Sequence, residues 1–172
     1  LVVLYVFLGS FRAAAMVAAV IPLALCFSFI QMDIFSVPAN LISLGAIDFG
    51  VIVDAAVIVT ENVMRHLEDG KKRLNQSIVL AISEVQRAMI YSVCIIIVAY
   101  SPLFLMGGVE GIIFKPMAFT MGFALIAAMI LSLTFLPAIM SLIFGENFHH
   151  KPPRFITAIL AWYKPILRSW MD

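Results

Sequence analysis

Residues 41–64 form an apolar stretch of membrane-spanning length that carries three acidic residues. About 20 predominantly apolar residues are enough for a helix to cross the hydrocarbon core of a bilayer. This stretch contains Asp48, Asp54 and Glu61, and the first basic residue after it is Arg65. A carboxylate at the bilayer centre costs at least about 2.5–3.5 kcal/mol on insertion scales. We therefore expect the three acids to have a function that justifies this cost.

The composition of the whole chain indicates an integral membrane protein. Of its 172 residues, 63% are hydrophobic and 12% are charged, a balance that is not typical of soluble domains. The net charge of +1 gives no reason to expect a nucleic-acid partner. The predicted fold class is all-α, with the helices arranged as a polytopic transmembrane bundle. We expect the lipid bilayer to surround this bundle.

Apolar runs and polar connections divide the chain into a helix bundle over residues 1–144 and a terminal segment over residues 145–172. We predict the end of one span followed by four full spans, at about residues 1–8, 13–32, 41–64, 88–106 and 116–144. Residues 66–87 are predicted to be a cytoplasmic loop whose second half is a short amphipathic surface helix, and residues 107–115 a second loop. The terminal segment has interleaved Trp, apolar and basic residues, which predicts a cytoplasmic loop and then an interfacial amphipathic helix. Because the chain starts inside an apolar run, we expect it to be a fragment.

Basic residues predict the orientation of the spans. The connections at residues 9–12, 65–87 and 145–172 contain ten of the eleven Lys and Arg residues. The positive-inside rule places such connections in the cytoplasm. The acidic stretch then runs from the outer side, near Asp48, to the cytoplasmic side, near Glu61.

Helical geometry separates the three acids into a pair and an outlier. Asp54 and Glu61 are about 20° apart around a helix and about 10 Å apart along it, whereas Asp48 is offset from Asp54 by about 120°. Small residues on this stretch would let a neighbouring helix approach closely, so we expect a central position in the bundle. They are Gly45, Ala46, Gly50, Ala55 and Ala56.

An acid in such a position can load and release a proton. Burial disfavours the charged form of a carboxylate, and membrane-embedded acids mark proton relays in pumps and transporters. We therefore predict that Asp48, Asp54 and Glu61 form a proton relay. Thr60 and Asn62 either orient the relay through hydrogen bonds or simply pack. The alternative for the acids is ion pairing with basic residues, which for Glu61 could be Arg65, four residues on.

Residues 48–62, with the sequence DFGVIVDAAVIVTEN, resemble the signature of the fourth transmembrane helix of heavy-metal efflux pumps in the resistance-nodulation-division (RND) superfamily. Residues 8–14, 107–111, 119–121 and 136–138 resemble the same family, so the likeness covers nearly the whole chain. The resemblance implies a homotrimeric, proton-driven antiporter of the bacterial inner membrane. It also implies a periplasmic adaptor and an outer-membrane channel as partners, and assigns the relay to Asp48, Asp54 and Glu61.

The sequence departs from the usual pattern of each branch of the family, and these departures bear on the exported substrate. The drug-exporting branch usually has adjacent acids where this chain has Asp54 and Ala55, and lacks an acid at the position of Asp48. The copper and silver branch resembles this chain from Asp54 to Ala56 but usually lacks the Asp-Phe-Gly that begins at Asp48. The cobalt-zinc-cadmium branch has Asp-Phe-Gly, but usually Gly at position 55. The resemblance favours divalent metals such as zinc, cobalt or cadmium, with copper, silver or drug export as alternatives.

The sequence shows no motif of an enzyme. No nucleophile–base constellation, phosphate-cradling loop, cofactor motif or metal-ligand spacing is present, so we predict a secondary active transporter that needs no cofactor and is driven by the proton gradient. An intramembrane aspartyl protease would need two aspartates that face each other from different helices, and here Asp48 and Asp54 are on one. An inactive structural membrane fragment is the remaining alternative.

Overall fold

The computed structural model describes residues 2–38, 49–68 and 74–144, and every regular element within these ranges is an α-helix. The helices are α1 (Val2–Leu8), α2 (Phe11–Ile34), α3 (Phe49–Glu68), α4 (Leu74–Ala99), α5 (Ser101–Leu105), α6 (Gly108–Leu133) and α7 (Phe135–Ile143). The predicted all-α class is confirmed. Asp48 and the predicted interfacial helix of residues 145–172 lie outside the described residues.

Within the described residues, three helical segments are long and apolar enough to cross a membrane. They are Phe11–Ile34, Leu74–Leu105 and Gly108–Ile143. Helix α3 is not one of them, because its 20 residues include the ionisable side chains of Asp54, Glu61, Arg65 and Glu68. The predicted span over residues 41–64 begins outside the described ranges, so it stays a prediction.

Helix α4 differs from the prediction of a separate surface helix before the span at residues 88–106. The structure has one continuous helix from Leu74 to Ala99. Its buried residues lie on one stripe that runs through both halves: Ser77, Ile78, Ala81, Met89 and Val93. A spacing of three or four residues keeps such side chains on the same helix face. The helix predicted over residues 74–87 is therefore present, but it is the first part of α4 and not a separate surface helix. Residues 66–68, predicted to be loop, are the end of α3.

The predicted loop over residues 107–115 is also mostly helical, because α6 begins at Gly108. The chain turns at Gly107 and Gly108, and Gly108 has a φ of +63° that an L side chain rarely adopts. Glu110 lies in the first turn of α6, where a carboxylate interacts favourably with the helix dipole. The turn between α5 and α6 is therefore much shorter than the sequence suggested.

The two later spans are each interrupted near a proline. Pro102 is the second residue of α5, and Pro137 is the third residue of α7. Proline lacks a backbone N–H and clashes with the carbonyl four residues earlier, so a helix usually breaks just before it. At the break before α7, the Thr134 hydroxyl donates to the Ile130 carbonyl at 2.6 Å. The Ile130 carbonyl thus accepts two hydrogen bonds, since the Thr134 backbone N–H also donates to it at 3.0 Å.

Helices α2 and α6 form the most extensive pair in the bundle. Hydroxyl groups connect them, since Ser28 Oγ donates to the Thr120 carbonyl at 3.0 Å. The Thr120 hydroxyl lies 2.7 Å from the Pro116 carbonyl oxygen and 3.1 Å from Met32 Sδ. Such hydroxyl contacts between helices are typical of membrane bundles.

Helix α3 occupies the centre of the bundle, where it packs against α2, α4 and α6. Its buried stripe includes Ile52, Ala56, Val59, Thr60 and Val63, all with no exposed surface. Ala56 has the small side chain that a close helix approach requires. The central position expected for the acidic helix is therefore observed, and only one side of α3 remains accessible.

Candidate functional site on the acidic helix

The accessible side of α3 carries its acids. The exposed residues are Gly50, Asp54, Ile58, Glu61 and Arg65, and their spacing of three or four places them on one stripe. Asp54 and Glu61 therefore share a face, as the sequence predicted. We call this set of five residues the acidic stripe.

Asp54 lies in a cleft between α3, α4 and α6. Ten residues line the cleft: Val51, Asp54, Ala55, Ile58, Met89, Ser92, Val93, Ile96, Leu125 and Ala128. Asp54 is the one ionisable residue in this lining, and Ser92 supplies the one other polar side chain. The carboxylate thus lies among mainly apolar side chains.

Glu61 and Arg65 are both on the acidic stripe, but the ion pair of Arg65 is with another helix. Arg65 Nη2 lies 3.8 Å from Glu84 Oε1 of α4, with the two side chains 69% and 52% exposed. An exposed pair of this kind contributes little stability, about 0–1 kcal/mol. Within the described residues Glu61 has no ion pair. The alternative that Arg65 neutralises Glu61 is therefore not what the structure shows.

Asn62 joins α3 to α4. Its Nδ2 donates to the Ala81 carbonyl at 2.9 Å and to Glu84 Oε2 at 2.9 Å. Thr60 is buried, and its hydroxyl donates to the Ala56 carbonyl of its own helix at 2.7 Å. Both residues therefore direct their hydrogen bonds away from the acids of the stripe, and Asn62 instead fixes the register between two helices.

His66 completes the polar cluster around Glu84. Its Nδ1 lies 3.0 Å from the Asn62 carbonyl oxygen, which can only accept a hydrogen bond. Nδ1 is therefore the nitrogen that carries a hydrogen, and Nε2 is 3.7 Å from Glu84 Oε2. Glu84 was not predicted from the sequence, because a contact between α3 and α4 depends on how two helices align. The sequence signal that could have indicated Glu84 is an acid on an amphipathic segment.

Replacing Asn62 with Ala is expected to destabilise the α3–α4 contact. The change removes two hydrogen bonds and leaves the partly buried Ala81 carbonyl without this donor. The free energy of unfolding should fall by about 1–2 kcal/mol, measured as a lower thermal midpoint in detergent. Gln86→Ala is the matched control, because Gln86 is an exposed amide side chain on the neighbouring helix α4. Equal midpoints for the two variants would contradict a structural role for Asn62.

No metal centre is evident in the described part of the chain. Residues 2–38, 49–68 and 74–144 contain no group of three or more His, Cys, Asp or Glu side chains that could hold a metal ion. What the site offers chemically is two carboxylates, one in a mainly apolar cleft and one nearer the polar end of α3. Groups of this kind can exchange protons.

The helical bundle and its acidic central helix define a known class of membrane protein. A model of the AcrB/AcrD/AcrF family matches residues 1–171, and the chain belongs to that family. Within the RND superfamily it is a CzcA/CusA-like member of the heavy-metal efflux branch, as the sequence resemblance predicted.

Curated relatives and solved structures support this assignment. The chain is 42% identical over 178 residues to the cobalt-zinc-cadmium resistance protein CzcA of Cupriavidus metallidurans, covering 98% of this chain and 17% of the relative. It is 37% identical over 152 residues to the cation efflux system protein CusA of Escherichia coli K12, covering 81% of this chain and 14% of the relative. A crystal structure of a heavy metal efflux pump matches with a TM-score of 0.73 and 45% identity, covering 83% of this chain and 14% of that one. The chain thus spans about a sixth of the length of its curated relatives.

Proposed function

We propose that this chain is the part of a heavy-metal efflux pump that couples export to proton flow. The observation that carries the proposal is the pair of carboxylates on one exposed stripe of the central helix, in a chain whose relatives are named for metal resistance. Ionisable side chains within membrane helices mark ion and proton pathways. In this proposal Asp48, Asp54 and Glu61 take up and release protons in turn, from the outer side to the cytoplasm.

The driving force is the proton gradient rather than a cofactor. Moving one elementary charge across 100 mV provides about 2.3 kcal/mol, so a few protons can drive export of one ion. Protonation of Asp54 removes a charge from its apolar cleft, and deprotonation restores it. The two states of the helix differ in electrostatic energy, which is what a coupling step requires.

We propose a divalent cation such as zinc, cobalt or cadmium as the exported substrate. The chain matches CzcA at 42% identity over 98% of its length, CusA at 37% over 81%, and the multidrug resistance protein MdtC of Serratia proteamaculans at 31% over 97%. The higher identity to a relative named for cobalt, zinc and cadmium supports divalent metal over copper, silver or drugs. The metal ion is a substrate in transit.

The pump is further proposed to be a multi-pass protein of the bacterial inner membrane. It would act as a homotrimer with a periplasmic adaptor and an outer-membrane channel. The apolar helices that could cross a membrane support the membrane location. The acidic stripe is exposed on this chain, and a carboxylate-bearing face is costly in lipid. That face is therefore proposed to contact further helices of the full-length pump.

Transport by a full-length pump that contains this sequence tests the proposal. The pump is reconstituted in liposomes with an acidic lumen, and metal uptake is followed with a metal-sensitive dye. We expect uptake of zinc, cobalt or cadmium that stops when a protonophore collapses the pH gradient. Uptake that ignores the gradient would contradict proton coupling, and uptake of only copper(I) or silver would contradict the substrate assignment.

A further inference from the structure

Ser92 is the polar residue that shares the Asp54 cleft, and it comes from a different helix. Asp54 is on α3 and Ser92 is on α4, and both are exposed on the open side of the cleft. The other eight lining side chains, which come from α3, α4 and α6, are apolar, so no second titratable or charged group faces Asp54 within the described cleft. Among the described residues that line the cleft, Ser92 therefore supplies the one polar side chain beside the Asp54 carboxylate.

The Ser92 hydroxyl is not engaged elsewhere in the described part of the chain. Hydroxyl groups on helices commonly donate to a carbonyl three or four residues earlier. Five in this bundle do so, namely those of Thr60, Ser83, Thr120, Thr134 and Ser141. Ser92 has no such bond to any described residue. Its donor and acceptor are therefore available to a ligand in the cleft.

The cleft is large enough for water. Its volume is about 30 Å³, and one water molecule needs roughly 10–15 Å³ measured in the same way. An ordered water also needs at least two polar partners, which the Asp54 carboxylate and the Ser92 hydroxyl supply.

We propose that the cleft binds a water molecule between Asp54 and Ser92, and that this water delivers the proton to Asp54. The inference rests on the proposed relay function and adds Ser92 as its positioning residue. Ser92 holds the water by one hydrogen bond, and the water donates to the ionised Asp54. The water gives one proton to the Asp54 carboxylate and regains one from a hydronium ion that arrives from the outer side, so only O–H bonds break and form.

Infrared titration of the full-length pump in lipid tests the proposal without measuring transport. The band of protonated Asp54 is the carboxyl band that is missing from Asp54→Asn. Since the bridge stabilises the charged carboxylate, Ser92→Ala should move the midpoint of this band to higher pH by roughly 0.5–1 pH unit, the scale of one hydrogen bond. Ser92→Thr keeps the hydroxyl and should titrate like the wild type. Ser83→Ala is the matched control, because its hydroxyl bonds only to the Leu80 carbonyl of the same helix.

Two results would overturn the proposal. An unchanged midpoint in Ser92→Ala would remove the role of Ser92. If the water is bound, the wild-type spectrum should contain a water O–H band that shifts in ¹⁸O-labelled water and disappears in Ser92→Ala. The absence of such a band would exclude the bound water. Neither result depends on a transport measurement. Failure of the proposed relay is a separate outcome, because it would be seen as normal transport in Asp54→Asn.

Discussion

We expect metal transport by a full-length pump that contains this sequence to be lost when Asp54 is replaced with Asn. The amide has nearly the same shape as the carboxyl group, so the cleft between α3, α4 and α6 should keep its packing. It cannot take up and release a proton at neutral pH, however. We expect proton-driven metal flux to fall by about 100-fold or more, the scale of the loss when a proton-transfer group is removed. Flux is measured in liposomes at equal amounts of inserted protein.

Two further variants make the result specific to the cleft. Asp33→Asn is the matched control, since Asp33 is exposed in the last turn of α2 and makes no side-chain contact with a described charged residue. It removes the same charge and should leave flux within about twofold of wild type, as is usual for a surface change. Asp54→Glu keeps a carboxyl group and should retain partial flux. Normal flux in Asp54→Asn would exclude Asp54 from the relay.

The arrangement of the acids was predictable because it depends on one helix alone. A seven-residue separation returns nearly to the same side of an α-helix, so Asp54 and Glu61 had to share a face wherever α3 packed. The small residue Ala56 also pointed to close packing, and it is buried. Local periodicity was enough for these features.

Features that depend on how two helices align were not predictable in the same way. The contact of Asn62 with Glu84, and the common cleft of Asp54 and Ser92, join residues that are 22 and 38 positions apart in the sequence. The periodicity of each helix gives its faces but not the register between helices. Glu84 and Ser92 therefore became visible only in the folded bundle.

Helix boundaries were predicted wrongly where polar residues precede an apolar run. Residues 74–87 are polar enough to resemble a separate surface helix, yet the stripe from Ser77 to Val93 continues without a break. No Gly or Pro lies between Leu74 and Ala99 to end the helix. The glycines at 107 and 108 suggested a longer loop, but they only make the turn before α6.

Ala124 lies where α2, α3 and α6 meet. It is fully buried in a cluster with Ala24 of α2 and Ile52 of α3, together with Ala127 and Ala128 of α6. Four of these five residues are alanines, and small side chains let helices approach closely. A larger side chain would therefore enter a closely packed interface. Leu125 and Ala128, next to this cluster on α6, also line the Asp54 cleft. A change at Ala124 therefore affects both stability and the site.

Replacing Ala124 with Leu is expected to force α6 away from α2 and α3. Overpacking of this kind typically costs 1–3 kcal/mol, and three added carbons at a fully buried position should cost about 3 kcal/mol or more. The thermal midpoint of the pump in detergent should fall, and less folded protein should reach the membrane. Ala88→Leu is the matched control, because Ala88 is exposed on α4 and the larger side chain meets no packed helix there. Equal midpoints for Ala124→Leu and Ala88→Leu would contradict the close approach of α2, α3 and α6, because only the first substitution adds volume inside their shared interface.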